Sequence, residues 1–305
     1  MRAIRTAAVV ALSAGLVAGV AGCSQRASDD RQPGTVSVVA STDVWGSVAS
    51  AVTGDHATVK SIVNSAADDP HSFEATPADA AAISDASLVV YNGGGYDHWV
   101  DDVLSGHQRV ATVDAYSLLP AAVPQPANEH VFYDLETAKT VASQIADKLS
   151  QADADHADDY KANAAKFADQ ADIIAAAERA IGAAHPGATV VATEPVAHYL
   201  LTNSGITDKT PEGFTKAIEG DSDPSPADLA AVLDLIKTRQ VSALVYNTQT
   251  QTDVTKQLED AANQASVPVI TVAETLPANT DYLTWQRQTV DQLASQLDKA
   301  PQANR

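Results

Sequence analysis

The chain has 305 residues and 31.7 kDa, room for one large or two medium domains with their own cores. Hydrophobic residues make up 45% and charged residues 19%, a globular balance that excludes wholesale disorder. A formal charge of -20 excludes a nucleic-acid backbone as partner, and a single cysteine excludes a disulfide scaffold or a Cys-rich metal centre.

The chain opens MRAIRTAAVVALSAGLVAGVAG: two arginines, an uncharged apolar run, then small residues. That order predicts a secretory signal peptide over residues 1–22 rather than a core helix, and the run is short for a stable membrane span. The only cysteine, Cys23, follows Val20-Ala21-Gly22. The tetrapeptide resembles the lipobox of bacterial lipoproteins, which implies cleavage before Cys23, its acylation, and a chain held on the outer face of the cytoplasmic membrane. Residues 23–34 are polar without apolar periodicity and read as a tether.

Beyond the tether, short β-branched runs alternate with Ala-rich helical stretches. Strands are expected at 35–40, 57–63, 87–91 and 109–113, with helices at 78–85 and 99–104. Further strands are expected at 188–193, 241–246 and 267–272. Alternating strands and helices predict parallel sheets covered on both faces. Between the two blocks, residues 155–184 carry Tyr160, Ala164, Phe167, Ala171, Ile174, Ala177 and Ile181 at helical steps of three and four. A helix of that length spans about 43 Å at 1.5 Å per residue. The expected class is α/β: two lobes, each a mostly parallel sheet flanked by helices, joined by one long rigid helix. The lobes are placed at 35–134 and 186–305, with a helical region at 135–185.

Four residues stand where ligands bind in open α/β sheets, at or beyond the C-terminal ends of strands. His71 follows the strand at 57–63, and His130 follows a stretch containing Pro120, Pro124 and Pro126. Glu194 and Glu274 close the strands at 188–193 and 267–272. Two neutral imidazoles and two carboxylates would neutralise a divalent cation. Spacing alone stops at a plausible ligand site, because the four lie far apart with no HxxxH or CxxC cluster.

The segment Pro70-His71-Ser72-Phe73-Glu74-Ala75-Thr76-Pro77 resembles the PHxYEPTP motif of the zinc/manganese-type (cluster A-I) solute-binding proteins of ABC transporters. Val89-Val90-Tyr91-Asn92-Gly93, Gly95-Tyr96-Asp97-His98-Trp99, Asn128-Glu129-His130-Val131-Phe132-Tyr133-Asp134, Thr193-Glu194-Pro195 and Pro224-Ser225-Pro226 resemble further family segments in the same order. The resemblance implies four metal ligands, His71, His130, Glu194 and Glu274. It also implies a two-lobed fold around one long helix, no catalysis, and delivery of the cation to a membrane permease. Three departures stand out. Glu129 replaces the family's proline and either reshapes the loop or adds a carboxylate; Glu274 replaces the commoner Asp; and 114–127 lacks the His-rich loop of many zinc-specific members.

Two imidazoles and two carboxylates form a harder donor set than three imidazoles, which tilts the expected cargo toward Mn2+ over Zn2+. The chain is expected to be monomeric and membrane-anchored through Cys23, with no nucleic-acid partner. The alternatives are a surface adhesin or metal buffer sharing the fold, or a secreted metallohydrolase with Glu274 as general base. The last has no nucleophile elbow or zincin motif behind it. Among the other histidines, His198 falls at a non-ligand position of the family pattern. His98 reads as part of a packing motif, and His56, His107, His156 and His185 as surface residues.

Overall fold

The computed structural model describes residues 36–107, 109–220 and 222–300. The expected signal peptide, the acylation site Cys23 and the tether lie outside the described residues. β1 (Val36–Thr42), β2 (Ala57–Val63), β3 (Leu88–Tyr91) and β4 (Ala111–Asp114) form one all-parallel sheet in the order β2-β1-β3-β4. β5 (Thr189–Ala192), β6 (Thr207–Asp208), β7 (Ala243–Asn247) and β8 (Val269–Val272) form a second, in the order β6-β5-β7-β8. Each expected strand is present, with ends displaced by one or two residues. β6, only two residues long, carries no hydrophobic signal that a sequence reading could detect.

Strand side chains alternate between two environments, as the two-residue period requires. Val38, Ala40, Leu88 and Val90 face a central core, whereas Val39, Val89 and Tyr91 pack outward with Trp99 and Val100. In the second sheet Val190, Ala192, Ala243 and Val245 face the same central core, and Val191, Leu244 and Tyr246 face a separate outer cluster. The two sheets therefore share one continuous interior. Helices α1 (Asp43–Thr53), α4 (Leu135–Ala152) and α5 (Ala157–Ala184) fill it, with α10 (Tyr282–Asp298).

α5 is the long helix expected between the sheets, 28 residues after a short 3-10 turn at 154–156. Tyr160, Phe167, Ala171, Ile174 and Ile181 are buried along it, while Ala177 is only half-buried. Glu178, which the apolar stripe does not include, is buried as well. Gly182 lets α5 lie against α6 (His198–Asn203), because a Cβ there would stand 2.4 Å from the Ser204 carbonyl oxygen. Gly46 plays the same part on α1, where a Cβ would meet the Ser61 hydroxyl of β2 at 2.0 Å.

The shorter helices carry their stop and start signals in sequence. Thr76 caps α2 (Pro77–Ser84) in a reciprocal capping box with Asp79, and Pro77 occupies the first turn. α3 (His98–Ser105) buries Trp99 and Val100. Within that segment Tyr96, Asp97 and Trp99 pack inward, but His98 is exposed and takes no part. α7 (Glu212–Glu219), α8 (Pro226–Lys237) and α9 (Asp253–Ala265) complete the described helices.

Candidate metal centre

The loop at 92–97 is the first support of the site. Gly93, Gly94 and Gly95 all have positive φ, a backbone that glycine adopts without strain. The turn brings the buried Asp97 carboxylate back to accept the Asn92 and Gly93 backbone N–H groups at 2.7 and 2.8 Å. Burial, only partly offset by these bonds, raises the Asp97 carboxyl to about 6. Asn92, so fixed, donates its side-chain amide to the Glu129 carbonyl at 2.8 Å. Tyr199 of α6 donates its hydroxyl to the neighbouring Asn128 carbonyl at 2.6 Å. The 128–130 segment is thus held by the loop after β3 and by α6.

His71 lies in the loop after β2, its backbone N–H bonded to Asp69 at 2.9 Å and its ring set edge-on to Tyr96. His130 is almost fully buried and precedes the 3-10 turn at 131–133. Asn128 Oδ1 accepts the His130 backbone N–H at 2.9 Å and stands 3.1 Å from its Nδ1. Glu274, 1% exposed, follows β8. Its Oε2 lies 3.2 Å from His71 Nε2 and 3.6 Å from His130 Nε2. Glu194 follows β5 and accepts hydrogen bonds from Asn247 Nδ2 and the Thr250 hydroxyl. The same Asn247 amide donates to Glu274 Oε1 at 2.8 Å, so one side chain ties the two carboxylates together. All four expected residues line one cavity, along with Asp69, Glu129, Pro195, Ile218, Glu219 and Thr250.

The segment carrying Glu274 is fastened to the first half of the fold. Asp43, at the start of α1, accepts the Leu276 N–H with both carboxylate oxygens at 3.2 Å. Tyr133 donates to the Ala273 carbonyl at 2.9 Å, and Ser47 accepts the Tyr282 N–H at 2.8 Å. Glu274 therefore sits with the two histidines, and Glu194 approaches from β5.

Electrostatics follow from burial against this charge. Burial disfavours the His71 imidazolium, but Glu274, Glu129 and Asp69 outweigh it and raise the ring to about 9. The fully buried His130 is pushed down to about 4 by desolvation, against the pull of Glu274. Burial would raise the Glu274 carboxyl, yet the two imidazoles and Asn247 hold it below its ordinary value. Desolvation raises Glu194 and Glu129. The neighbouring carboxylates of Glu274, Glu129 and Asp69 thus favour the protonated His71 ring. A divalent ion would take the place of that proton. Two ring nitrogens and two carboxylates, held by outer hydrogen bonds, fit a borderline-to-hard divalent cation.

Three supporting residues escaped the sequence reading. Asn247 ends β7 one residue beyond the expected strand, where a buried Asn could have signalled a ligand support. Asn128 was visible only as part of a motif. Asp43 is far from the ligands in sequence and gave no signal. Among the other histidines, His98 and His107 are exposed, and His198 does not line the cavity. His56 and His156 are half-buried rather than plain surface residues. Their rings stack at 4.0 Å, and each pairs with an aspartate, Asp159 and Asp153 respectively.

Two parallel-sheet α/β halves thus place a histidine–carboxylate cavity at their strand ends. The chain belongs to the family described as zinc-uptake complex component A, periplasmic (ZnuA), which it matches over residues 38–296. It is 27% identical over 151 residues to the manganese-binding lipoprotein MntA of Halalkalibacterium halodurans, covering 48% of this chain and 50% of that one. It is 28% identical over 159 residues to the manganese ABC transporter substrate-binding lipoprotein scaA of Streptococcus gordonii, covering 48% of this chain and 51% of that one. In both matches the chain spans about half the relative's length. The laminin-binding protein Lmb of Streptococcus agalactiae, described as bifunctional with adhesin and metal-transporting activity, superposes with a TM-score of 0.73 at 25% identity. That superposition covers 86% of this chain and 99% of Lmb.

Proposed function

We propose that the protein is an extracytoplasmic solute-binding component of an ABC transporter that captures one divalent transition-metal ion, Mn2+ or Zn2+, and delivers it to a membrane permease. The observation that carries this reading is the approach of His71 Nε2 and His130 Nε2 to Glu274 Oε2, with Glu194 tied to the same carboxylate through Asn247. His71, His130, Glu194 and Glu274 are the ligands, and they are supplied by residues 35–134 on one side and 186–305 on the other. α5 is the strut between these lobes. The manganese-binding names of the curated relatives support Mn2+ as cargo, as does the harder two-histidine, two-carboxylate set. Zinc binds the same donors tightly in the tube, so cellular uptake rather than affinity names the physiological ion.

The protein is exported, acylated on Cys23 after loss of residues 1–22, held at the outer face of the cytoplasmic membrane, and monomeric. The lipoprotein names of its relatives and the lipobox-like Val20-Ala21-Gly22-Cys23 support the anchor. A binding role suits a site whose ligands come from both halves of the fold. A catalytic metal would instead need an open position for water. The test is metal analysis with competitive titration. One equivalent of cation should bind, and binding should be lost on combined His130→Ala and Glu194→Ala substitution.

A second reading, a surface adhesin that also binds metal, is favoured by one observation, the likeness to Lmb. That reading expects the purified chain to bind immobilised laminin, and a chain that takes up cation but shows no laminin binding would remove it.

A further inference from the structure

Both histidines of the site have their second ring nitrogen near an oxygen from one dipeptide, His130 in a hydrogen bond and His71 in an ion-pair contact. Asn128 Oδ1 stands 3.1 Å from His130 Nδ1, and Glu129 Oε1 stands 3.3 Å from His71 Nδ1. The opposite nitrogens, Nε2 of each ring, both face Glu274 Oε2. His71, Glu129 and His130 offer atoms within 4.8 Å of one another, a group of potential metal-holding residues among the described ones. Glu129 also lines the cavity beside the four ligands.

A metal-bound imidazole presents one nitrogen to the ion and holds its proton on the other. A carboxylate that accepts that proton fixes the ring's tautomer and orientation and makes the ligating nitrogen more basic. Glu129 is within ion-pair reach of His71 Nδ1, at 3.3 Å, and a small turn of its carboxylate would let it accept that proton. Its backbone is pinned by Asn92, whose amide donates to the Glu129 carbonyl at 2.8 Å, so the side chain starts from a fixed point. His71 needs such a partner more than His130 does, because it sits on a half-exposed loop whereas His130 is buried.

We propose, resting on the metal-binding reading above, that Glu129 is a positioning residue. Its carboxylate holds His71 through Nδ1 so that Nε2 faces the cation. Asn128 and Glu129 thus orient the two imidazoles of the site from adjacent residues.

The test is a double-mutant cycle on the full chain, read as the dissociation constants for Mn2+ and Zn2+ by competitive titration, with thermal denaturation of the cation-free protein as a check on folding. Glu129→Ala should weaken both ions by about tenfold or more. Glu129→Gln, which keeps an acceptor oxygen at the same reach, should recover part of that loss. In a His71→Ala background the further Glu129→Ala change should alter affinity by less than about threefold, because there is no ring left to orient. An equal loss in both backgrounds would overturn the proposal and make Glu129 a direct donor or a field effect. No loss in the parent chain would overturn it outright. Failure of the underlying reading looks different: His71→Ala alone would then leave both dissociation constants unchanged.

Discussion

His71 Nε2 lies 3.2 Å from Glu274 Oε2, although 203 residues separate them and they follow strands of different sheets. The contact joins the loop after β2 to the loop after β8, and Glu274 in turn reaches His130 and Asn247. Removing His71 should therefore deprive the cation of one donor and leave the Glu274 carboxylate without the nearer of its two imidazole partners. His71→Ala is expected to lower cation affinity at least tenfold, about 1.4 kcal/mol. Competitive titration against a chelator of known affinity checks it. An unchanged dissociation constant removes His71 from the site.

Asn247 donates one amide to both Glu194 and Glu274. Its replacement by Leu leaves the half-buried Glu194 and the buried Glu274 without a shared donor. Affinity should fall by roughly 10- to 100-fold, the usual range for lost outer-shell partners of metal ligands. Titration of Asn247→Leu with Zn2+ and Mn2+ is the measurement, and parent-like affinity would show that the carboxylates need no tie.

Asp43 fastens the Glu274 segment to α1 through the Leu276 N–H. Asp43→Ala leaves that N–H without its acceptor and should cost about 1–3 kcal/mol of stability. It should also speed cation release, because Glu274 loses its fixed mount. Stopped-flow release into excess chelator, alongside thermal denaturation, reads both effects. A destabilised variant with parent release rates would mean that the mount serves the fold alone.

Glu178 is buried on α5, and its Oε1 has no hydrogen-bond partner among the described residues. Burial raises its carboxyl to about 8, with Asp134 adding to the rise and Arg179 opposing it. The folded chain thus holds a proton that the unfolded chain releases near the ordinary Glu value. Stability from this group is complete at low pH and is lost as pH rises through about 8. Glu178→Gln should gain more than about 1 kcal/mol over the parent at pH 8.5 and lose that advantage toward pH 5. Denaturant unfolding across this range decides it; parallel curves for the two proteins would exclude the effect.

Much of this arrangement was legible in the chain. The strand–helix alternation placed both sheets because parallel strands buried on both faces are continuous apolar runs. Tyr160, Phe167, Ala171, Ile174 and Ile181 marked α5 because an amphipathic stripe repeats at helical spacing. Positions at strand ends nominated His71, His130, Glu194 and Glu274, and motif resemblance joined them. The structure brings them to one cavity. Sequence could not deliver Asn247 or Asp43, whose roles exist only through contacts made across the fold. Nor could it deliver Glu178, whose burial contradicts its charge. Likewise His56 and His156 find each other only because the α1–β2 turn meets the start of α5.

The most direct test of the account is the cation stoichiometry of the chain from Ser24 onward, purified, stripped with chelator and titrated with Mn2+ and Zn2+ in turn. The account predicts one equivalent of either ion, abolished when His130 and Glu194 are both replaced by alanine. A parent protein that takes up no stoichiometric cation, or a double variant that still takes up one, would contradict it.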